Sequence, residues 1–355
     1  MASKIKVLVI HSSFCIGGAE NMVYELAKSF DKNEVKCKVI SCSSRLGTTL
    51  EDKVDAAQID VEYGHCEGRI TLAKIWNIYR MISEFKPDVI HAHMGGFFYS
   101  LPYVLTHKTK LVVTAHTTPK EAFNERTTKV LRFLAKRNKV IVTAVSDENK
   151  RLISDYYGIP LDKVECVNNG VDLSRYYRKK HNQLTFINVA RMDANKNQQL
   201  IIKLFARLDP FRRMKLILCG DGPERIKLEN MVDNLNIAEN VFFTGNVGNV
   251  YDYLAEADIY IQASHREGLP LSVIEAAATK LPIISTDVGG MKNIVTDNGF
   301  LVKDNDEESL FAAMKKLALD ESLREEMGEK SYQMAKKFSA ESMSAKYTVI
   351  YKKNI

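Results

Sequence analysis

Long apolar runs, paired cysteines and clustered metal ligands are all scarce in this 355-residue chain. Near the N-terminus the only apolar run is Val7 to Ile10, and no later run approaches the roughly 20 residues of a membrane-spanning helix. The run is also too short for the core of a signal peptide. The six cysteines lack metal-ligand spacing, which predicts buried free thiols in a reducing compartment. We therefore expect a cytoplasmic protein without disulfides or structural metal.

Nucleic-acid signatures are missing as well, although the chain carries a net charge of +6. Its basic residues are not interleaved with aromatic ones, and no helix-turn-helix, finger or RNA-recognition pattern occurs. The excess is uneven: residues 1–182 carry 28 Lys and Arg against 20 Asp and Glu, whereas residues 183–355 carry 22 against 24. Nucleic acid is therefore not an expected partner.

The densest basic segment is 125–139, which has helical spacing. Its basic positions are Arg126, Lys129, Arg132 and Lys136, and the apolar positions expected on another face are Val130, Leu131 and Leu134. Such a helix can lie on an anionic membrane surface, or it can simply be a solvated helix face. Both hypotheses stay open from the sequence.

Short apolar segments alternate with helical patterns along almost the whole chain, which predicts doubly wound α/β domains with parallel sheets. The predicted strands are 5–10, 37–42, 88–93, 110–116 and 139–145, and then 184–190, 214–220, 240–245, 258–264 and 282–287. A polar, charged stretch at 176–183 reads as a linker. We predict domains at 1–178 and 179–338, with a final helix at 339–355 that crosses back to the first domain. The active site should lie between the two domains, because ligands bind at the carboxyl ends of such strands.

The most informative segment is HREGLPLSVIEAAATKLP, in which Glu267 and Glu275 stand eight positions apart. An apolar strand pattern at 257–264 precedes a turn with Gly268 and Pro270, and a helical segment follows. One glutamate is thus expected on the turn and the other one turn inside the helix. Free N–H groups at a helix N-terminus favour a phosphate, and carboxylates accept from sugar hydroxyls. The combination indicates a nucleotide sugar.

Two further strand-to-helix turns carry candidate ligand contacts. Gly17 and Gly18 follow the first strand, where a glycine pair lets backbone N–H groups approach a ligand or simply makes a tight turn. Arg191 and Lys196 follow the first strand of the second half. Together they can hold a diphosphate and stabilise its charge as it leaves, although basic residues in such turns are often only surface.

Three histidines end strands of the first half. His91 and His93 close one predicted strand and His116 closes the next. We take His91 and His93 as pointing to opposite faces, so that at most one of them faces a ligand. His116 is the favoured substrate neighbour, His93 a lesser candidate and His91 a core residue. A metal site is not expected, because acidic or cysteine partners at ligand spacing are missing.

Several motifs together resemble glycosyltransferase family 4, the retaining enzymes of GT-B fold. They are GGAE, VNNGVD, VARMDANKNQ, CGDGPE, FFTG and, most specifically, EGLPLSVIEAAATKLPIISTDVGG. The resemblance extends over nearly the whole chain and implies two Rossmann-like domains that face each other across a cleft. It also implies a nucleotide-sugar donor as co-substrate with no cofactor and no metal, and front-face retention.

The resemblance further implies a role for each matching residue. Glu275 binds the ribose, Glu267 contacts the transferred sugar, and His116 lies beside that sugar. The implied diphosphate contacts are Gly18, Arg191, Lys196 and the backbone of Gly268, Leu269, Pro270, Leu271 and Ser272. Gly245 and Val247 are expected at the base, and Gly17, His93 and Asn169 at the acceptor. The implied catalytic set is Glu267, His116, Arg191 and Lys196.

We therefore expect a retaining hexosyltransferase that moves a sugar, by resemblance from a UDP-sugar, to a saccharide or polyprenyl-linked saccharide in surface polysaccharide synthesis. The basic helix could then hold the enzyme peripherally at the inner membrane face. Two alternatives remain open: a nucleotide-sugar epimerase or hydrolase of the same fold, and a non-catalytic sugar-nucleotide-binding protein.

Overall fold

The computed structural model describes residues 4–15, 17–116, 119–208 and 213–355. It divides into two compact units, the first formed by the chain up to Gly170 together with Ala340–Ile355, the second by Val171–Ser339. The division falls earlier than the predicted boundary at residue 178. The reason is that the segment after Gly170 packs within the second unit, where Tyr177 donates to Asp252 at 2.9 Å and Arg178 donates to Asp258 at 2.9 Å.

The first unit is built on a seven-stranded parallel sheet of order β3-β2-β1-β4-β5-β6-β7. Its strands are β1 Ile5–His11, β2 Val35–Ser41, β3 Val61–Tyr63, β4 Val89–His93, β5 Lys110–Ala115, β6 Val140–Ala144 and β7 Val164–Cys166. The central strands are almost wholly buried, as expected of a parallel sheet that helices cover on both faces. The order of strands reverses between β1 and β4.

The helices of the first unit follow the strands, and most begin at a residue suited to that position. They are α1 Gly18–Ser29, α2 Thr49–Ala56, α3 Leu72–Phe85, α4 Gly96–Thr106, α5 Pro119–Ala122, α6 Glu125–Lys136 and α7 Asp147–Tyr157. Thr48 and Glu51 form a capping box at α2, and Ser146 caps α7. The last helix of the chain, which we number α14 (Ala340–Asn354), also belongs to this unit, where Ser344 donates to the carbonyl oxygen of Ser29 at 2.8 Å.

The second unit repeats the plan with a six-stranded parallel sheet of order β10-β9-β8-β11-β12-β13. Its strands are β8 Thr185–Val189, β9 Lys215–Cys219, β10 Val241–Gly245, β11 Ile259–Gln262, β12 Ile283–Thr286 and β13 Gly299–Val302. Its helices are α8 Gln198–Leu208, α9 Arg225–Asn234, α10 Val250–Ala255, α11 Leu271–Ala278, α12 Glu307–Leu319 and α13 Glu321–Ala335. The order reverses between β8 and β11. The predicted fold class, two Rossmann-like doubly wound domains, is confirmed.

Three details bear on the predictions. Within the described part of the chain no helix is long and apolar enough to cross a membrane. All six cysteines are free thiols, but only three are buried: Cys15 is exposed, and Cys37 and Cys166 are partly exposed. In α6, Leu131 and Leu134 are buried as expected, whereas Val130 is 40% exposed and does not share their face. Helix α6 therefore presents apolar as well as basic groups to solvent.

Candidate active site

The loops after β8 and β11 meet at the point where the second sheet reverses its order. In doubly wound sheets this is the position at which ligands bind, beyond the carboxyl ends of the strands. The two loops are tied together: Asn195 Nδ2 donates to the carbonyl oxygen of Arg266 at 3.0 Å, and the N–H of His265 donates to the carbonyl oxygen of Asn195 at 2.8 Å. Residues 191–197 and 263–270 therefore form one continuous surface.

Glu267 lies on this surface and is held through one oxygen. Lys196 Nζ and Gln262 Nε2 each donate to Glu267 Oε1 at 2.7 Å. Among the described residues Oε2 has no hydrogen-bond partner. The Lys196 side chain is 20% exposed and that of Glu267 only 7% exposed, so the ion pair is largely shielded from water. The structure thus joins two predicted site residues that lie 71 positions apart and leaves one carboxylate oxygen open.

Helix α11 begins right after the Glu267 turn. Pro270 is its N-cap residue, and no side chain among those described caps the helix by a hydrogen bond. Its first N–H groups and the positive end of its dipole are therefore open to an anion. Of the predicted phosphate contacts in this segment, Leu269 and Leu271 are buried, while Gly268, Pro270 and Ser272 are partly exposed. The arrangement suits binding through the backbone.

The segment 287–290, which follows β12, packs against the turn of Glu267 and Gly268 and holds it in place. Gly290 N–H donates to the carbonyl oxygen of Gly268 at 2.7 Å. Gly289 has φ +58°, and a Cβ added there would lie 2.0 Å from the carbonyl oxygen of Glu267. Both the backbone angle and the close approach require glycine at this position.

Glu275 lies in the second turn of α11, as predicted. Its Oε1 accepts a hydrogen bond from the Tyr176 hydroxyl at 3.0 Å. Tyr176 comes from the segment that was predicted to be a linker, and the sequence reasoning gave it no role. A tyrosine next to a charged stretch carries no sequence signal for such a contact.

The remaining predicted donor contacts are more loosely placed. The Arg191 side chain is 71% exposed, and its nearest carboxylate is Asp193 Oδ2 at 3.9 Å from Nε. It therefore does not join the Glu267 group. Gly245 ends β10 with φ +69°, and its carbonyl oxygen accepts from Gly220 N–H at 3.0 Å. Val247 follows in a partly exposed loop.

In the first unit, the glycine pair lies at the start of α1. Gly17 is the N-cap residue with an extended backbone, and a Cβ added at Gly18 would meet nothing within 4 Å. The carboxyl group of Glu20 lies against Gly17: a Cβ added at Gly17 would come 2.3 Å from Glu20 Oε2. Burial raises the pKa of Glu20. Asn169 is buried in the loop after β7.

The strand-end histidines form a stack, and one expectation about them was wrong. His91 and His93 do not point to opposite faces: their ring centroids lie 4.1 Å apart, because residues two apart on a strand point the same way. His93 Nδ1 lies 2.8 Å from His116 Nε2. His91 bonds Tyr351 and Thr114, both at 2.7 Å, which makes it a core residue.

The sequence reasoning missed a fourth histidine, His11, which ends β1 next to β4. Burial lowers the pKa of His11 to about 3 and that of His116 to about 4. Burial, followed by the neighbouring His91 and His116, also lowers the pKa of His93. The rings are therefore neutral at pH 7. Within the described residues no group of three or more His, Cys, Asp or Glu side chains is arranged to hold a metal ion.

Comparison with known proteins adds the following. The model for Glycosyltransferase Family 4 matches residues 16–175, and the model for Glycosyl transferases group 1 matches residues 172–334. An uncharacterized glycosyltransferase of Methanocaldococcus jannaschii is 28% identical over 61% of this chain, and the match spans only 59% of that protein. The N-acetylgalactosamine-N,N'-diacetylbacillosaminyl-diphospho-undecaprenol 4-alpha-N-acetylgalactosaminyltransferase of Campylobacter jejuni is 29% identical over 65% of this chain and 67% of its own length.

The fold is also that of solved structures. The crystal structure of Anabaena HepE in complex with UDP-glucose superposes with a TM-score of 0.84 at 18% identity, over 98% of this chain and all of that one. At this identity the likeness establishes the fold, which is GT-B. Together the two family models match residues 16–334, which make up most of both units. The chain belongs to the GT-B glycosyltransferases of the family 4 and group 1 type.

Proposed function

We propose that the chain is a retaining glycosyltransferase that moves a sugar from a UDP-sugar to a saccharide or lipid-linked saccharide in surface polysaccharide synthesis. The observation that carries the proposal is the Glu267 site in the second unit. There a carboxylate is fixed through one oxygen and open at the other, next to a lysine and to a helix start that no described side chain caps. These are the groups that a sugar linked to a diphosphate needs.

In this proposal the donor lies along the loops after β8 and β11. Its diphosphate binds the first turn of α11 and the Lys196 ammonium, which has three donors and can bond Glu267 and a phosphate oxygen at once. Arg191, which is exposed, adds a second cation. Glu275 accepts from the ribose hydroxyls, and the loop at Gly245 and Val247 meets the base. The assignment of UDP is supported by the Anabaena complex of the same fold.

The proposed chemistry retains the anomeric configuration by front-face attack. The bond between the anomeric carbon and the diphosphate oxygen breaks, and the acceptor oxygen bonds that carbon on the same face. The acceptor proton passes to the departing phosphate oxygen. Lys196 and Arg191 stabilise the charge on the leaving group, so the proposed reaction requires no divalent metal. Glu267 Oε2 is placed to contact the sugar that moves.

The first unit is proposed to bind the acceptor through Gly17, His93 and Asn169, and to contribute His116 beside the transferred sugar. Both histidines are neutral at pH 7, so they offer hydrogen bonds rather than charge. The Campylobacter relative is named for a diphospho-undecaprenol substrate. It supports a lipid-linked saccharide as the acceptor class to test first.

The test is a donor and acceptor panel analysed by NMR. UDP-, GDP- and ADP-sugars are incubated with saccharide and polyprenyl-diphosphate acceptors, with and without a metal chelator. We expect transfer from a UDP-sugar with the donor's anomeric configuration in the product, and no loss of rate with chelator. Glu267→Gln and Lys196→Met should lower kcat by about 100-fold, the usual scale for losing a group that stabilises developing charge.

The matched control is Lys203→Met, which removes an exposed ion pair of the same 2.7 Å length, with Glu307. It should leave the rate unchanged. Free sugar or an epimer formed from donor alone would instead indicate a hydrolase or epimerase. Donor binding without turnover on any acceptor would indicate a binding protein. An inverted product would contradict retention.

We also propose that α6 contacts anionic membrane. Beside Arg126 and Lys129, its solvent face carries Val130 at 40% and Phe133 at 50% exposure. Basic and apolar groups on one face are what interfacial binding requires. Arg132 is not part of this face, because its guanidinium bonds the carbonyl oxygen of Tyr157.

The membrane proposal is tested by sedimentation with vesicles that contain anionic lipid. Replacing Arg126, Lys129 and Lys136 by Gln should reduce the bound fraction at least fivefold. Replacing three exposed lysines elsewhere (Lys32, Lys108 and Lys315) removes the same charge and should reduce it much less. Equal losses in both triple variants would show that only net charge matters.

A further inference from the structure

Strand β11 carries two polar side chains where its neighbours are apolar. Tyr260 is 0% exposed and Gln262 is 1% exposed, and both point the same way because they are two residues apart. Buried hydroxyl and amide groups are costly unless they are hydrogen-bonded. Here each has its partner: the Tyr260 oxygen lies 2.9 Å from Gln262 Oε1 and 2.9 Å from Ser272 Oγ, and Gln262 Nε2 lies 2.7 Å from Glu267 Oε1.

The direction of each bond follows from the chemistry of the groups. An amide oxygen only accepts, so the Tyr260 hydroxyl donates to Gln262 Oε1. That uses the single proton of Tyr260, and the Ser272 hydroxyl must therefore donate to the Tyr260 oxygen. The amide nitrogen of Gln262 then faces the carboxylate and donates to it. The result is one directed row of hydrogen bonds from the first turn of α11 to Glu267.

This row accounts for the way in which Glu267 is held. Gln262 and Lys196 approach the same oxygen, Oε1, and leave Oε2 without a partner among the described residues. A lysine alone is a mobile point charge on a four-carbon stem, and it would let the carboxylate turn. The amide of Gln262 is different, because the hydrogen bond from the Tyr260 hydroxyl to its oxygen fixes its orientation.

We propose that Gln262 and Tyr260 are positioning residues for Glu267, which hold its carboxylate through Oε1 so that Oε2 is presented to the transferred sugar. The proposal rests on the proposed function and adds to it the groups that align the carboxylate with the reacting carbon. Ser272 anchors the row in the helix turn that is to bind the diphosphate. The row of hydrogen bonds thereby fixes Glu267, the proposed sugar contact, relative to the start of α11, the proposed phosphate contact. Sites that depend on precise alignment require such support.

The experiment compares Gln262→Met, Gln262→Glu and Tyr260→Phe with a matched control, Ser285→Ala. Ser285 is opposite Gln262 in the register of β12, is fully buried, and donates to the carbonyl oxygen of Thr286 rather than toward the site. Its loss tests the cost of removing any buried polar group from the sheet. Steady-state kinetics are measured over a range of donor concentration and pH, and folding is checked by thermal unfolding.

We expect Gln262→Met to lower kcat by about 30- to 100-fold, the scale of a small misplacement of a reacting group, with donor KM changed less than threefold. Tyr260→Phe should lower kcat by a smaller factor, since the amide stays but is no longer oriented. Ser285→Ala should keep the wild-type kcat. A higher donor KM at unchanged kcat in Gln262→Met would overturn the proposal. So would a fall in kcat in Ser285→Ala as large as that in Gln262→Met.

Gln262→Glu gives a readout that a purely structural role would not move. Two carboxylates at the 2.7 Å spacing of Gln262 and Glu267 cannot both be charged at low cost. At acidic pH the new carboxyl group keeps a proton and can donate to Oε1 as the amide does. As pH rises the proton is lost and the two groups repel. For Gln262→Glu we expect a kcat near that of the wild type at low pH and a fall in kcat as pH rises. The wild type should not show this fall, and a Gln262→Glu profile identical to that of the wild type would contradict the proposal.

An arm without substrate separates this proposal from the proposed function. In protein labelled with ¹³C at the glutamate carboxyl carbons, Gln262→Met should shift the Glu267 resonance and Ser285→Ala should not. If the wild type shows no transfer with any donor, the proposed function fails, while this shift still reports on positioning. If transfer is found but the resonance and kcat are both unaffected by Gln262→Met, the positioning role is refuted.

Discussion

The ion pair of Lys196 and Glu267 should contribute measurably to the stability of the second unit, and Lys196→Met is the direct perturbation. Methionine keeps a long apolar stem but removes the charge. Glu267, at 7% exposure, then retains only the hydrogen bond from Gln262. A nearly buried carboxylate that loses its cation is destabilised, because water cannot replace the lost partner fully.

The expected size follows from the exposure of the two side chains. Exposed ion pairs contribute about 0–1 kcal/mol, whereas truncating one partner of a buried pair costs about 3–5 kcal/mol. Lys196 is one-fifth exposed, at 20%, and its partner is nearly buried, so this pair lies between the two classes. We expect a loss of about 2 kcal/mol in the free energy of unfolding. For the control Lys203→Met, whose pair is 58% and 43% exposed, we expect about 0.5 kcal/mol or less.

The assay must follow the second unit by itself. The single tryptophan, Trp76, lies in α3 of the first unit, so its fluorescence in a denaturant titration reports on that unit. Hydrogen exchange at the amides of β11 reports on the second unit. A double-mutant cycle with Glu267→Gln isolates the pairwise contribution, which we expect to be about 1.5 kcal/mol. Coupling below about 0.5 kcal/mol, or equal costs for Lys196→Met and Lys203→Met, would refute the reasoning.

Three further predictions follow from individual contacts. Burial lowers the pKa of His11 to about 3, so below pH 6.5 the unfolded chain binds a proton at this residue that the folded chain does not bind. His11 alone should therefore contribute a loss of about 2 kcal/mol in the free energy of unfolding between pH 7.5 and pH 5, in addition to the losses from the other buried histidines, and the loss measured by urea unfolding should be smaller by that amount in His11→Gln. Tyr176→Phe, which removes the bond to Glu275, should raise the donor KM by about three- to tenfold at nearly constant kcat in initial-rate measurements. Gly289→Ala should lower the free energy of unfolding, measured by thermal unfolding, by about 2 kcal/mol or more beyond the loss in Gly47→Ala. Both glycines have positive φ, but only at Gly289 would the added Cβ displace packed backbone. An unaltered pH slope, an unchanged KM or equal alanine costs would contradict the respective prediction.

The interior strands of both sheets were predictable, whereas of the four edge strands only β10 was predicted. Every predicted strand corresponds to a strand of the structure. All of them except β10 are interior strands, which are buried on both faces and therefore appear as apolar runs. The strands that were missed are Val61–Tyr63, Val164–Cys166 and Gly299–Val302, each at the end of its sheet. They have three or four residues and are partly exposed, so no run of apolar residues marks them.

The site was predictable where local geometry decides the position of a residue. Glu275 follows Glu267 by eight residues, and the strand-turn-helix pattern already placed one on the turn and the other in the helix. The pairing of Lys196 with Glu267 was not predictable, since 71 residues separate them and either basic residue of the turn could have been the partner. Gln262 was missed because a single amide within an apolar strand looks like a tolerated polar residue, and its partner lies beyond the end of the strand.

The two cations of the β8 turn are not equivalent, and this bears on how a donor would be recognised. Lys196 lies 2.7 Å from Glu267, which balances its charge. Arg191 is weakly paired by comparison, because its side chain is 71% exposed and its nearest carboxylate, that of Asp193, is 3.9 Å away. Under the proposed function, an incoming diphosphate is therefore attracted first by Arg191 and by the start of α11. In the proposed reaction Lys196 acts later, when charge develops on the leaving group and draws the ammonium away from Glu267. A carboxylate that must not follow the departing cation needs another donor to hold it, and the buried amide of Gln262 is that donor.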